Sequence, residues 1–224
     1  MAEVYYSADR AKAFVDAVVA IALTLLILPL LDAITGLADE NENTNGLPSA
    51  VTWFGENELL LISFLISFAV IAMFWINHHR MFSGVRRVNI MLLWMNVAWL
   101  LTIVWLPVAT TMTSVLDSED PLVKTSYIGT MALTCLLALV QQLYLRAHPA
   151  LHDITRVALL RGMSANLAMA TLFLLSLAVS IAFPALSYVP LFLLVLTGPL
   201  IEVYSRMLGV RRAPKPAEGV RRGG

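Results

Sequence analysis

RAKAFVDAVVAIALTLLILPLLD, residues Arg10 to Asp32, is apolar enough to cross a bilayer, yet it holds Asp16 in its first turns and Thr24 at mid-depth. An ionisable side chain in hydrocarbon is costly, so it marks either a functional site or an obligatory polar contact between helices. The stretch is the first of six. A membrane-crossing helix needs about 20 mostly apolar residues, and such runs occupy 13–31, 58–77, 90–113, 124–145, 159–183 and 186–207. Arg10 and Lys12 precede the first run as they would in a signal peptide. No small-residue cleavage site follows, so a mature helix is expected there.

With 59% hydrophobic and 13% charged residues among 224, the chain is too apolar for an ordinary soluble domain. The expected fold is all-α, a polytopic membrane protein with six transmembrane helices. Residues 1–208 form the six-helix domain in this reading, and the basic tail 209–224 is expected to be disordered, within reach of anionic lipid. The lone Cys135 excludes an intrachain disulfide and a multi-cysteine metal site.

The formal net charge of +0 hides a strong segregation. Arg10 and Lys12, then Arg80, Arg86 and Arg87, then Arg146, Arg156 and Arg161, then Arg206 onward fall in alternate connections. The remaining connections set only Lys124 against Asp32, Asp39, Glu40, Glu42, Glu56, Glu58, Asp117, Glu119 and Asp120. Because cytoplasmic loops carry the Lys and Arg excess, both termini are expected in the cytoplasm, with an acidic face outside.

On a helix of about 100° per residue, Leu28, Asp32, Leu25 and Thr24 fall within about 60° of Ile21, whereas Asp16 lies about 140° away. One face of the first span therefore offers bulky aliphatics, one hydroxyl layer and an acidic outer end. The other offers a carboxylate that needs a partner. Arg10 is six residues from Asp16, not the three or four that let side chains meet on one helix, so each is expected to find its partner on another span. The end of span 2, FWINHHR, supplies Trp75, His78 and His79, with Ser67 on the face of His78. A histidine here is open to three roles: proton relay, metal ligand or hydrogen-bonding strut. In span 3, Asn96 must hydrogen-bond across helices, and Pro107 is expected to free a carbonyl and kink the outer third. Spans 4 to 6, with Gln141, Gln142 and Glu202, read as scaffold. No nucleophile elbow, phosphate-binding glycine loop, HExxH or pair of intramembrane Asp residues is present, so an enzyme is not expected. No TVGYG filter is present either, so a cation channel built on this chain would not use the ordinary carbonyl cage.

The motif Arg10-x-x-x-Phe14-x-Asp16, continued by AVVAIALTLLILPL, resembles the first-helix signature of the transmembrane protein 175 family of potassium channels. Trp75-x-x-His78 before Arg80 and Phe82, and Asn96 leading to Leu106-Pro107, extend the resemblance through spans 1 to 3. Val15 and Ala17 stand where the family usually has Ser and Gly. The resemblance implies a first helix lining a central pore in an oligomer. With one RxxxFxD motif in the chain, it implies the prokaryotic single-repeat form, a homotetramer in the plasma membrane. By position, Ile21, Thr24, Leu25 and Leu28 would match the constriction and filter. Arg10, Phe14, Asp16, Trp75, His78 and Asn96 would match the interhelical polar network. Asp32 would lie at the pore mouth. The expected activity is passive, modestly selective potassium conduction. The expected partners are the lipid bilayer, further copies of the chain and monovalent cations, with no nucleic acid, no cofactor and no bound metal beyond permeating potassium. The alternatives are a proton-coupled or proton-conducting transporter using Asp16 and His78, and a membrane scaffold.

Overall fold

The computed structural model describes residues 5–40, 49–117 and 119–210. Glu42 and most of the basic tail lie outside the described residues. The chain runs β1 (Tyr5–Ser7), α1 (Ala8–Leu25), α2 (Leu28–Glu40), α3 (Ala50–Glu56), α4 (Glu58–Phe82), β2 (Arg87–Asn89), α5 (Ile90–Val115), α6 (Pro121–Lys124), a π-helical turn (Thr125–Gly129), α7 (Thr130–Ala147), α8 (Arg156–Ala182), a 3-10 stretch (Val189–Leu196) and α9 (Thr197–Met207). Six segments are long and apolar enough to cross a bilayer: Ala8–Leu37, Glu58–Phe82, Ile90–Val115, Pro121–Ala147, Arg156–Ala182 and Val189–Met207. The protein is an all-α polytopic membrane protein, with one pair of three-residue strands among the described residues.

The first span is two helices rather than one. Pro29 has no N–H to donate to the Leu25 carbonyl, and its ring crowds that carbonyl. The ladder consequently breaks at Leu26 and Ile27: Ile27 N–H turns back to the Thr24 carbonyl at 3.3 Å, and Leu31 N–H restarts the helix on the Ile27 carbonyl at 3.1 Å. The helical wheel drawn through residues 10–32 as one rod thus holds strictly only up to Leu25. Pro107, by contrast, sits inside an unbroken α5.

The main core joins spans 1 to 5. Val15, Val19, Ala22 and Leu26 pack with Ile71 and Phe74 of α4, Trp99, Ile103 and Leu106 of α5, and Met131, Cys135 and Phe173 of the later helices. Between these apolar layers lie paired polar groups, as hydrocarbon requires. Ser67, Tyr127 and Thr110 form one hydroxyl chain with both links at 2.9 Å, and Thr134 donates to Thr102 at 2.9 Å. Span 6 packs mainly on α8 and leaves Phe192 and Val195 more than three-quarters exposed.

At the arginine-bearing end the connections are stitched together. β1 pairs antiparallel with β2, Tyr5 opposite Asn89 and Ser7 opposite Arg87. Asn89 also caps α5 by accepting the Leu92 N–H at 3.0 Å, and it donates to the Tyr144 hydroxyl at 2.7 Å. Arg86 N–H donates to the Leu151 carbonyl and Asp153 N–H to the Gly84 carbonyl, both at 2.9 Å, and Arg86 forms an ion pair with Asp153. A Cβ on Gly84 would lie 2.5 Å from Ile154 Cγ1, so glycine is what permits this approach of the two connections. Beneath the plate, Met81, Phe82, Val85, Val88, Leu92, Leu145 and Leu151 form a second apolar cluster.

Candidate functional site

The two faces of α1 have opposite environments. Val15, Val19 and Ala22 are at most 3% exposed, packed into the core. Arg10, Ala13, Phe14, Ala17, Ala20, Ile21, Thr24 and Leu25 run at helical spacing along the other face, exposed, and Leu28, Leu31 and Asp32 of α2 continue the line. Ile21 is 58% exposed, Leu25 38% and Leu28 48%, so each leaves a large share of its apolar surface uncovered by the described chain. The stripe changes character along its length: small alanines near the arginine-bearing end, bulky aliphatics toward the break. Thr24 Oγ1 donates its proton to the Ile21 carbonyl at 2.8 Å, which leaves the oxygen lone pairs as the group it can present outward.

Asp16 sits between these faces, half-buried. Trp75 Nε1 donates to Asp16 Oδ1 at 2.7 Å, and His79 Nδ1 lies 3.9 Å from the same oxygen, so α4 supplies both neighbours. Trp75 and His79 occupy i and i+4 on α4, with ring centroids 5.7 Å apart, forming a single ledge against α1.

His78 faces the other way, into the core. It is 4% exposed, and its Nε2 lies 2.9 Å from Asn96 Oδ1, an acceptor, so the ring holds a proton on Nε2 and donates it there. Its ring stacks between Trp99, at 4.1 Å between centroids, and Phe82, at 4.4 Å. Asn96 Nδ2 is buried without a hydrogen-bond partner among the described residues.

The six residues expected in one polar network therefore separate within a single chain. Asp16 with Trp75 ties span 1 to span 2, and His78 with Asn96 ties span 2 to span 3. Arg10 and Phe14 lie outside both pairs, exposed on the uncovered stripe, and Arg10 has no ion-pair partner among the described residues. Ser67 is likewise spent on Tyr127 and Thr110 rather than on His78. Among the described residues, no group of three or more His, Cys, Asp or Glu side chains is placed to hold a metal.

Sequence reasoning passed over Lys124. It is fully buried, and its Nζ donates to the carbonyls of Ser180 at 3.0 Å and Pro184 at 3.3 Å. The cation thus closes the C-terminal end of α8, where carbonyls lack intrahelical donors and the helix dipole favours positive charge. The available signal was a lysine set at the entry of an apolar run on the otherwise acidic face.

Residues 10–107 match the family model described as the endosomal/lysosomal potassium channel TMEM175. Across its first three spans the chain is similar to the TMEM175 family. It is 34% identical over 111 residues to a potassium channel of Streptomyces collinus, a match covering 50% of each chain. A potassium channel of Chamaesiphon minutus is 36% identical over 101 residues, covering 45% of this chain and 46% of that one. The endosomal/lysosomal proton channel TMEM175 of Bos taurus is 32% identical over 114 residues, 50% of this chain and 23% of the bovine protein. The chain spans about half the length of the bacterial relatives it matches. The matched segment contains the uncovered stripe, the Asp16–Trp75 pair and the His78–Asn96 pair.

Proposed function

We propose that this chain conducts potassium passively, with modest selectivity, as a homotetramer whose four first helices surround a central pore. The observation that carries the reading is the uncovered stripe on α1. A face that only met lipid would have no use for Thr24 and Asp32 or for a run of alanines, whereas small residues allow close helix approach and polar ones suit water. The matched family model spans this segment, and relatives similar to about half of the chain are named potassium channels.

In the proposed ring, Ile21, Leu25 and Leu28 narrow the path until it dewets, and a modest widening rewets it. Thr24 oxygens replace part of an ion's hydration shell, which favours the ion that dehydrates more cheaply, potassium over sodium. Asp32 and the acidic connections concentrate cations at the outer mouth, an effect that weakens with salt. The arginine-bearing connections support a topology with both termini on the cytoplasmic side of a prokaryotic plasma membrane.

Planar-bilayer recording of the purified protein under opposed potassium and sodium gradients tests this. Single-channel steps with a reversal potential displaced toward the potassium equilibrium value are expected, and a reversal potential of zero sinks the selectivity. A second reading, proton conduction, draws on the bovine relative's name and on His79 beside Asp16. Currents that follow a pH gradient with no alkali cation present would favour it.

A further inference from the structure

Between the ends of α4 and α7 and the start of α8 lies a cavity of about 480 Å³. Arg80 and Arg161 line it, together with Gln142, Asn166 and the apolar wall of α8, and no carboxylate is among its lining residues. Neither guanidinium has a hydrogen-bond or ion-pair partner among the described residues. Gln142 is only 4% exposed, and its Oε1 accepts from Asn166 Nδ2 at 3.1 Å. That bond turns the Gln142 Nε2 over Gly162, another lining residue, where a Cβ would come within 2.5 Å of it. The amide nitrogen donates to nothing among the described residues, so it is free to donate into the cavity.

Two unpaired guanidiniums and an unspent amide donor on a nearly buried side chain, with no carboxylate in the lining, form an acceptor-seeking site. Guanidinium forks match phosphate oxygens in pairs. The cavity lies where α4 ends and α8 begins, at the depth of the membrane boundary, and basic pockets between helices at that depth suit lipid headgroups. Its apolar wall offers a bed for an acyl chain. We propose that this cavity binds a phosphate group, and that the headgroup of an anionic phospholipid supplies it. The site is separate from the α1 stripe, and the proposal does not depend on ion conduction.

The test is native mass spectrometry of the full chain in detergent with added dioleoylphosphatidylglycerol or dioleoylphosphatidylcholine, and thermal unfolding with added inorganic phosphate. Phosphatidylglycerol retention should exceed phosphatidylcholine retention and fall about tenfold or more in Arg80→Gln/Arg161→Gln, as expected for lost charge-assisted contacts. Arg87→Gln, which removes a charge from the same end outside the cavity, should leave it unchanged. Ala158→Trp keeps both arginines and fills the cavity from an exposed lining position, so it should abolish retention without touching the charges. Stabilisation by inorganic phosphate, lost in the double variant, with no preference for phosphatidylglycerol over phosphatidylcholine would support the phosphate site while overturning the lipid source. Phosphatidylglycerol retention that survives both the double variant and Ala158→Trp would overturn the proposal altogether.

Discussion

Replacing His78 with Phe and Asn96 with Leu, singly and together, isolates the link between spans 2 and 3. His78→Phe keeps a flat ring between Trp99 and Phe82 but strands the Asn96 oxygen beside an amide nitrogen that already lacks a partner. Asn96→Leu strands the His78 Nε2–H. Each single change should cost about 1–3 kcal/mol, the penalty for a buried polar group left unpaired. The double variant removes both polar groups and should recover most of that loss. Hydrogen bonds within membrane proteins couple by about 0.6 kcal/mol on average and reach about 1.7. A 2.9 Å bond between residues only 4% and 2% exposed, with no competing donor, belongs near the upper end, at about 1–2 kcal/mol. Reversible unfolding in mixed micelles, titrated with denaturing detergent and followed by tryptophan fluorescence, gives the four free energies of the cycle. Losses that simply add in the double variant, within about 0.5 kcal/mol, would refute the view that these groups exist to satisfy each other.

Ile21→Asn should ease wetting of the proposed constriction, raising conductance several-fold and moving the reversal potential toward zero in bilayer recordings; unchanged currents would remove Ile21 from the pore. Asp16→Ala leaves the Trp75 N–H without its acceptor and should reduce stability by about 1–2 kcal/mol, discounted for the half-exposed site, with loss of assembly on size exclusion. A normal oligomer with altered ion preference would contradict that structural role. Gly84→Ala drives a methyl into Ile154 and should cost about 1–3 kcal/mol, partly restored by Ile154→Ala; an unchanged Tm would show that the two connections are not held at this distance.

The six spans were legible because hydropathy over 20 residues needs no knowledge of what packs where. That Asp16 turns away from Ile21 was legible too, since periodicity fixes relative direction inside a regular helix. The break at Leu26 and Ile27 had its signal in Pro29, but a wheel drawn straight through that proline carried Leu28 and Asp32 onto a rod that had already ended. The pairing of Tyr5–Ser7 with Arg87–Asn89 was not legible: three residues give no alternation to count, and the bonds are backbone to backbone. Lys124 was hidden for a related reason, as its acceptors are main-chain carbonyls, which look alike in every sequence. His78, Asp16, Trp75 and Asn96 were read as one set because sequence orders residues along a line. Only packing shows that adjacent His78 and His79 face different neighbours.

The strand pair at the base of α1 and the break above it together define a lever. An 18-residue helix is a rod of about 27 Å. Pivoting about Tyr5–Ser7, with its backbone ladder interrupted at Leu26, it would move its far end by about 2.4 Å for a tilt of about 5°, by trigonometry on that length. Four such rods leaning outward would widen a ring at the level of Leu25 by about 5 Å, more than the diameter of a water molecule. A displacement too small to disturb most side-chain contacts at the base is thus large at the tip, and the strand ladder sets the fulcrum.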